Sequence, residues 1–139
     1  MKKFEKQLTG MAGEYLTTGK LFKKGLQVAI TIGNAKAIDI FAYNPINKKN
    51  YNVQVKTSRN KEDFFLQEKK IDPEHIFVFI ILNGFENNED YFIIKGSEIK
   101  KNLNKFFGST YKSENPSKMS AIRHRSLTEY KDNWNVFDE

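Results

Sequence analysis

The chain has no cysteine among its 139 residues. That absence removes disulfides, thiolate zinc sites, iron–sulfur clusters and cysteine nucleophiles in one step. Histidine is nearly as scarce, with only His75 and His124. Two histidines cannot build a histidine-rich metal site, and neither has a nucleophile pattern beside it, so nothing points to serine or histidine catalysis. No apolar run reaches the roughly 18 residues of a membrane span. The segment Met1-Lys2-Lys3-Phe4-Glu5-Lys6 is basic but leads into charged residues and not into a signal-peptide core. A cytoplasmic protein without a membrane partner is the expectation.

What is present is a folding composition. A hydrophobic fraction of 39%, with 12 Phe, 6 Tyr and 1 Trp, suits one compact domain spanning residues 1–139 and argues against disorder. The net charge is +6, which suits a polyanionic partner. It is unevenly placed: residues 1–61 carry 12 Lys/Arg and only three acids, Glu5, Glu14 and Asp39. Residues 62–90 reverse the balance, with eight acids against Lys69 and Lys70. Nucleotide bias can make a chain rich in Lys, Asn and Ile, but it does not decide where the few acids of a basic half fall.

Periodicity supplies the elements. Phe4, Leu8, Met11, Tyr15 and Phe22 make a helical stripe over residues 4–24, with Gly25 as its stop. The glycines within it, Gly10, Gly13 and Gly19, predict close packing on another element. Three strands follow, over residues 26–32, 36–43 and 51–57, separated by a turn at Gly33-Asn34 and a polar loop at residues 44–50. They read as an antiparallel meander. Residues 75–82 are continuously apolar and predict a central strand buried on both faces. Residues 91–94 predict a further strand, and Ser97 caps a helix running through Lys105. A polar loop at residues 108–120 precedes a terminal helix carrying Leu127, Tyr130, Trp134 and Phe137. The fold class is therefore α/β, a mixed sheet flanked by helices.

Within the strands of the basic half, few acids and amides interrupt the aliphatics. Asp39 stands inside Ala37-Ile38-Asp39-Ile40-Phe41. On the next strand Asn52, Gln54 and Lys56 alternate with Val53 and Val55, so strand pairing can set Asp39, Gln54 and Lys56 side by side. Glu14 lies on the opening helix. A carboxylate, an amide oxygen and an amine suit Mg²⁺ or Mn²⁺, which prefer oxygen ligands, together with a charged helper. Such a metal can polarise a phosphoryl oxygen and activate water, and the Lys56 ammonium can hold that water or stabilise developing charge.

Asp39, then 14 residues, then Gln54-Val55-Lys56, preceded by helical Gly13-Glu14, resembles the PD-(D/E)XK nuclease superfamily with its restriction-endonuclease-like fold. Gly13-Glu14, Gly25 and Ala37-Ile38-Asp39-Ile40 are similar to the archaeal Holliday-junction resolvases, and Gln before X-Lys is similar to Mrr-type endonucleases. The resemblance covers roughly residues 8–94. It implies a Mg²⁺-dependent DNA endonuclease, a hydrolase of phosphodiesters, with Asp39 as main metal ligand, Gln54 as second, Glu14 as auxiliary and Lys56 as catalytic lysine. Two departures stand out: Ile38 replaces the proline before Asp39, and Gln54 replaces the second acid.

Each residue also has an ordinary reading. Asp39 suits an exposed strand face, Gln54 and Lys56 a solvated one, and Glu14 a solvated helix. Thr57, Ser58, Arg59 and Lys61 follow the motif and are candidate DNA contacts, though loop charges are often only solvated. Arg123-His124-Arg125 reads more as an exposed helix start than as a phosphate contact. The alternative function is a catalytically inactive nuclease-fold module that binds nucleic acid or serves as an interaction subunit. With one active site per chain, cutting both strands calls for a homodimer.

Overall fold

The structure is a computed structural model that describes residues 2–32, 37–116 and 120–139. The expected turn at Gly33 and Asn34, Lys36 at the start of the second expected strand, and Ser117 of the polar loop lie outside the described residues.

The opening helix, α1 (Lys3–Lys24), ends at Gly25, whose φ of 101° is the left-handed conformation glycine adopts without penalty. Strands β1 (Gln27–Ile30), β2 (Ile40–Asn44) and β3 (Lys49–Ser58) form the expected antiparallel meander. After a short strand β4 (Phe64–Phe65) and a 3₁₀ turn (Glu68–Lys70), β5 (Ile76–Ile81) pairs parallel to β3. Strand β6 (Asp90–Lys95) closes the sheet antiparallel to β5, giving the order β1-β2-β3-β5-β6.

Every residue of β5 is buried, which explains why its sequence does not alternate. Ile76, Val78 and Ile80 join the core beneath α1 with Leu21, Ile40, Val53 and Val55. Phe77, Phe79 and Ile81 join a second core on the other face, with Phe64, Ile99, Phe106, Ile122 and Leu127. Apolar side chains fully buried in this way contribute about 1.5–3 kcal/mol each. The strand at the centre of the sheet thus ties the two layers together.

Three features depart from what the sequence pattern alone suggests. The stripe of α1 does not face the core: Phe4, Leu8, Met11, Tyr15 and Phe22 are exposed, and Thr9, Gly13, Thr17, Thr18 and Leu21 are buried. Small residues win the buried face because they let the helix lie close on β3. A β-carbon at Gly13 would fall 1.7 Å from Thr57 Oγ1. Only this glycine meets the expected close packing, since Gly10 and Gly19 have nothing within 4 Å of that position.

Second, Ser97 does not cap its helix. Helix α2 (Gly96–Lys101) starts one residue earlier, with no side-chain cap, and Asn102 breaks it from α3 (Leu103–Phe107). Gly96 fits there because a β-carbon would stand 2.1 Å from Asp72 O. Third, the tail is not an α-helix. After strand β7 (Ala121–Ile122), which pairs with β4, it forms two 3₁₀ helices, His124–Tyr130 and Trp134–Asp138, that still bury Leu127 and Phe137. Among the described residues no helix is long and apolar enough to cross a membrane.

Candidate active site

Asp39 sits at the entrance to β2, where its backbone amide donates to Val53 O (2.9 Å) and its carbonyl accepts from Thr31 N (3.0 Å). Just before it the chain leaves the ladder, with Ala37 at a φ of 64°. An alanine in the left-handed region marks a local diversion of the strand. The Asp39 carboxylate takes over part of the lost pairing: Oδ2 accepts from Val55 N at 2.7 Å. One of its oxygens is thus used to hold the 53–55 segment, and the group is half-buried.

Glu14 reaches the same region from the other layer. Gly13 allows α1 to pack directly on Thr57, which brings the next residue down to the edge of β3. The Glu14 carboxyl is half-buried and pushed above the ordinary carboxylate range, first by burial and then by the charge of Asp39, with Lys56 pulling the other way. Burial also pushes the Asp39 carboxyl up, against the Val55 hydrogen bond and the charge of Lys56. Glu14, Asp39 and Lys56 therefore feel one another. Among the described residues neither carboxylate closes an ion pair on Lys56.

Gln54 lies between these groups in sequence but is tied elsewhere. It is only 2% exposed, and its Nε2 donates to His75 Nδ1 at 3.0 Å. His75 is buried too, with Nε2 3.4 Å from Asp72 Oδ2. One of the two amide N–H groups goes to the imidazole, and Oε1 is the oxygen free to ligate another partner. Reading the sequence assigned His75 no role. Its position as the one polar residue at the head of an otherwise apolar strand was the available signal.

Lys56 also borders a cleft of about 490 Å³ between the first half of α1 and the end of β3, where Lys6, Thr9, Gly10, Glu62 and Asp63 contribute. The four candidate contact residues divide. Thr57 Oγ1 is enclosed beneath α1 with no hydrogen-bond partner among the described residues. Ser58 Oγ donates to Asn60 O at 2.7 Å, shaping the turn out of the strand. Arg59 and Lys61 are exposed, with Arg59 Nε donating to Thr9 Oγ1 at 2.8 Å. His124 is held by Asp63, which accepts from its backbone amide and sits 3.0 Å from Nδ1. Arg123-His124-Arg125 thus opens a 3₁₀ helix, in line with the reading as a helix start.

Among the described residues there is no group of three or more His, Cys, Asp or Glu side chains placed to hold a metal ion. The donor set on offer is smaller: two carboxylates and one amide oxygen. Its chemistry nonetheless suits a hard cation, because two half-buried acids pushed up by burial, Glu14 also by the charge of Asp39, are relieved by positive charge.

No family model matches the chain, and no curated protein matches it. Among solved structures it is similar to a bacterial homing endonuclease, I-Ssp6803I, at 14% identity, with 95% of this chain and 91% of that chain covered and a TM-score of 0.59. The chain therefore has a nuclease-like fold.

Proposed function

We propose that the protein is a metal-dependent endodeoxyribonuclease of the PD-(D/E)XK type that hydrolyses phosphodiester bonds in DNA. One observation carries the reading: Glu14, from the helix, and Asp39, from the strand entrance, are raised carboxyls that share the field of Lys56. The fold likeness to a homing endonuclease supports it.

In this reading Asp39 and Glu14 hold Mg²⁺ or Mn²⁺ through their carboxylates, with Gln54 Oε1 as a neutral third donor. When bound, the metal supplies Lewis acidity toward phosphate and lowers the pKa of water. The chain's own groups do the rest. The Val55 amide fixes the Asp39 carboxylate, and Gly13 sets the depth of Glu14. The Lys56 ammonium orients the attacking water and offsets charge on the phosphorane-like transition state. Arg59 and Lys61, at the exit of β3, meet DNA phosphates, while Thr57 and Ser58 set the path of that segment.

The test is cleavage of supercoiled, linear and branched DNA with Mg²⁺ or Mn²⁺ by wild type, Asp39→Ala and Lys56→Ala. Cutting by wild type and a loss of at least about a hundredfold in both variants is expected for groups acting in the transition state. Activity surviving both substitutions rules the site out. A second reading, an inactive nuclease-fold module that binds nucleic acid, is favoured by the Gln54–His75 hydrogen bond, since a buried neutral amide replaces the usual acid. DNA binding that weakens steeply with salt, with no cleavage under any metal, selects it.

A further inference from the structure

On the face of the sheet opposite α1, the layer of α2, α3, β4 and β7 packs on β5 through Phe77 and Phe79. The same face of β1, β2 and the first half of β3 stays open. Strand pairing orders it into two rows, Gln27–Tyr43–Asn50 and Ala29–Phe41–Asn52. Their side chains point away from α1, because Val28, Ala42, Tyr51 and Val53, which alternate with them, join the core beneath that helix. All six are exposed or half-buried, Phe41 at 44%, and they line a shallow cavity of about 470 Å³.

The rows hold no charged residue and three amides. Asn44, Asn102 and Asn133 spend their amides on backbone carbonyls. Among the described residues no side-chain hydrogen bond engages Gln27, Asn50 or Asn52. Lys48 and Lys49 stand exposed at one end of the rows, in no ion pair among the described residues. At the other end the register, carried one residue past Ile40 and Val53, sets Asp39 opposite Gln54, and Lys56 follows on the same face of β3. The open face runs directly into the candidate active site.

A free amide can bond N6 and N7 of one adenine together, and an exposed Phe packs on a thymine methyl group. Guanine is the usual partner of Arg or Lys, which the rows lack. Residues on one face of a strand repeat about every 7 Å, or about two base-pair steps, and a two-stranded ribbon such as β2–β3 fits the major groove. We propose that this face reads duplex DNA through the major groove with a preference for A·T pairs: Gln27, Asn50 and Asn52 each bond an adenine, and Phe41 contacts thymine methyl groups. The occupant is DNA because a lysine pair flanks unpaired amides and the rows continue into a site whose proposed substrate is a phosphodiester. The inference rests on the proposed function for its partner and adds which base edges that partner presents.

The probe is a pool of duplexes with a randomised core, selected on the full chain without divalent metal, so that binding is read apart from cutting. Selection is expected to enrich A·T pairs two steps apart. Asn50→Ala and Asn52→Ala, at sites open to solvent, leave the melting temperature unchanged. Each is expected to lower the ratio of affinities for the selected duplex and its G·C-substituted counterpart at least about fivefold, with affinity for random duplex unchanged. Lys49→Ala instead lowers both affinities together and reduces the salt slope by about one. Inosine·cytosine pairs keep the minor groove of A·T but carry the major-groove edge of G·C, so wild type is expected to bind them as weakly as G·C. Selection without base preference, a preference that tolerates inosine·cytosine, or one unchanged in the Asn50→Ala/Asn52→Ala double variant overturns the inference and leaves DNA binding standing. Failure to bind any duplex overturns the proposed function with it. Self-association lost in Asn52→Ala by sedimentation, with base preference intact, assigns the face to a second copy and also overturns it.

Discussion

The Asp39 carboxylate and the Val55 amide meet at 2.7 Å across the entrance to β2, so one side chain both mends the sheet and faces the charged site. Those roles separate by substitution. Asp39→Ala leaves the Val55 N–H without its partner and is expected to cost about 1–3 kcal/mol of stability, whereas Asp39→Asn keeps an acceptor oxygen and costs less. Both remove the negative charge, so both are expected to abolish the proposed cleavage. Urea denaturation beside a cleavage assay checks this. An Asp39→Asn variant as unstable as Asp39→Ala removes the structural half of the argument.

The raised carboxyls of Glu14 and Asp39 fix the sign of a pH effect. In the folded protein both hold their protons to higher pH than in the unfolded chain. Their contribution to stability is fully present below the ordinary carboxyl value and is lost as pH rises through the raised folded value. Wild type is therefore expected to lose stability relative to Asp39→Asn across that interval, a comparison that cancels most other titrating groups. Millimolar Mg²⁺ restores the loss in wild type and not in the variant, measured as a melting temperature. The proposed cleavage is expected to rise over the same interval, as the carboxylates become free to bind metal.

The strands were legible because burial writes itself into β sequences. The apolar run after His75 reads better as a strand covered on both faces than as a helix, and β5 is one, with Ile76, Val78 and Ile80 in one core and Phe77, Phe79 and Ile81 in the other. The burial of α1 was not legible, since periodicity marks an apolar face without saying what covers it. The nearness of Glu14 and Asp39 followed from the order of motifs, yet the means did not. Thr57 beneath Gly13 is a contact between residues 44 apart, and the Gln54–His75 bond joins two strands through side chains with no local signature.

The glycines of α1 should respond in opposite ways. Gly13→Ala drives a methyl group into Thr57 Oγ1, 1.7 Å away, and is expected to destabilise the fold by about 1–3 kcal/mol as an overpacked contact. It also lifts Glu14 away from Asp39, so the proposed cleavage is expected to fall further than stability explains. Gly10→Ala meets nothing within 4 Å and is expected to stabilise by about 0.5–1 kcal/mol through helix propensity. Thermal denaturation of the two variants decides it, and equal effects contradict the packing of α1 on β3.

Gln54 and His75 are both buried and hydrogen-bonded at 3.0 Å. In Gln54→Ala the imidazole loses that partner inside the core, and the cost is expected to be about 1–3 kcal/mol, with a cavity contribution beyond it. His75→Ala strands the Gln54 amide in the same way. The double variant is expected to be less unstable than the sum of the singles, because each single change already breaks the shared bond. A double-mutant cycle in urea measures this coupling, and strict additivity would show that the pair contributes nothing. Metal dependence separates the amide's two tasks. If Gln54 Oε1 is a ligand, Gln54→Ala raises the Mg²⁺ concentration needed for half-maximal cleavage, while His75→Ala, which leaves Oε1 in place, changes that concentration little.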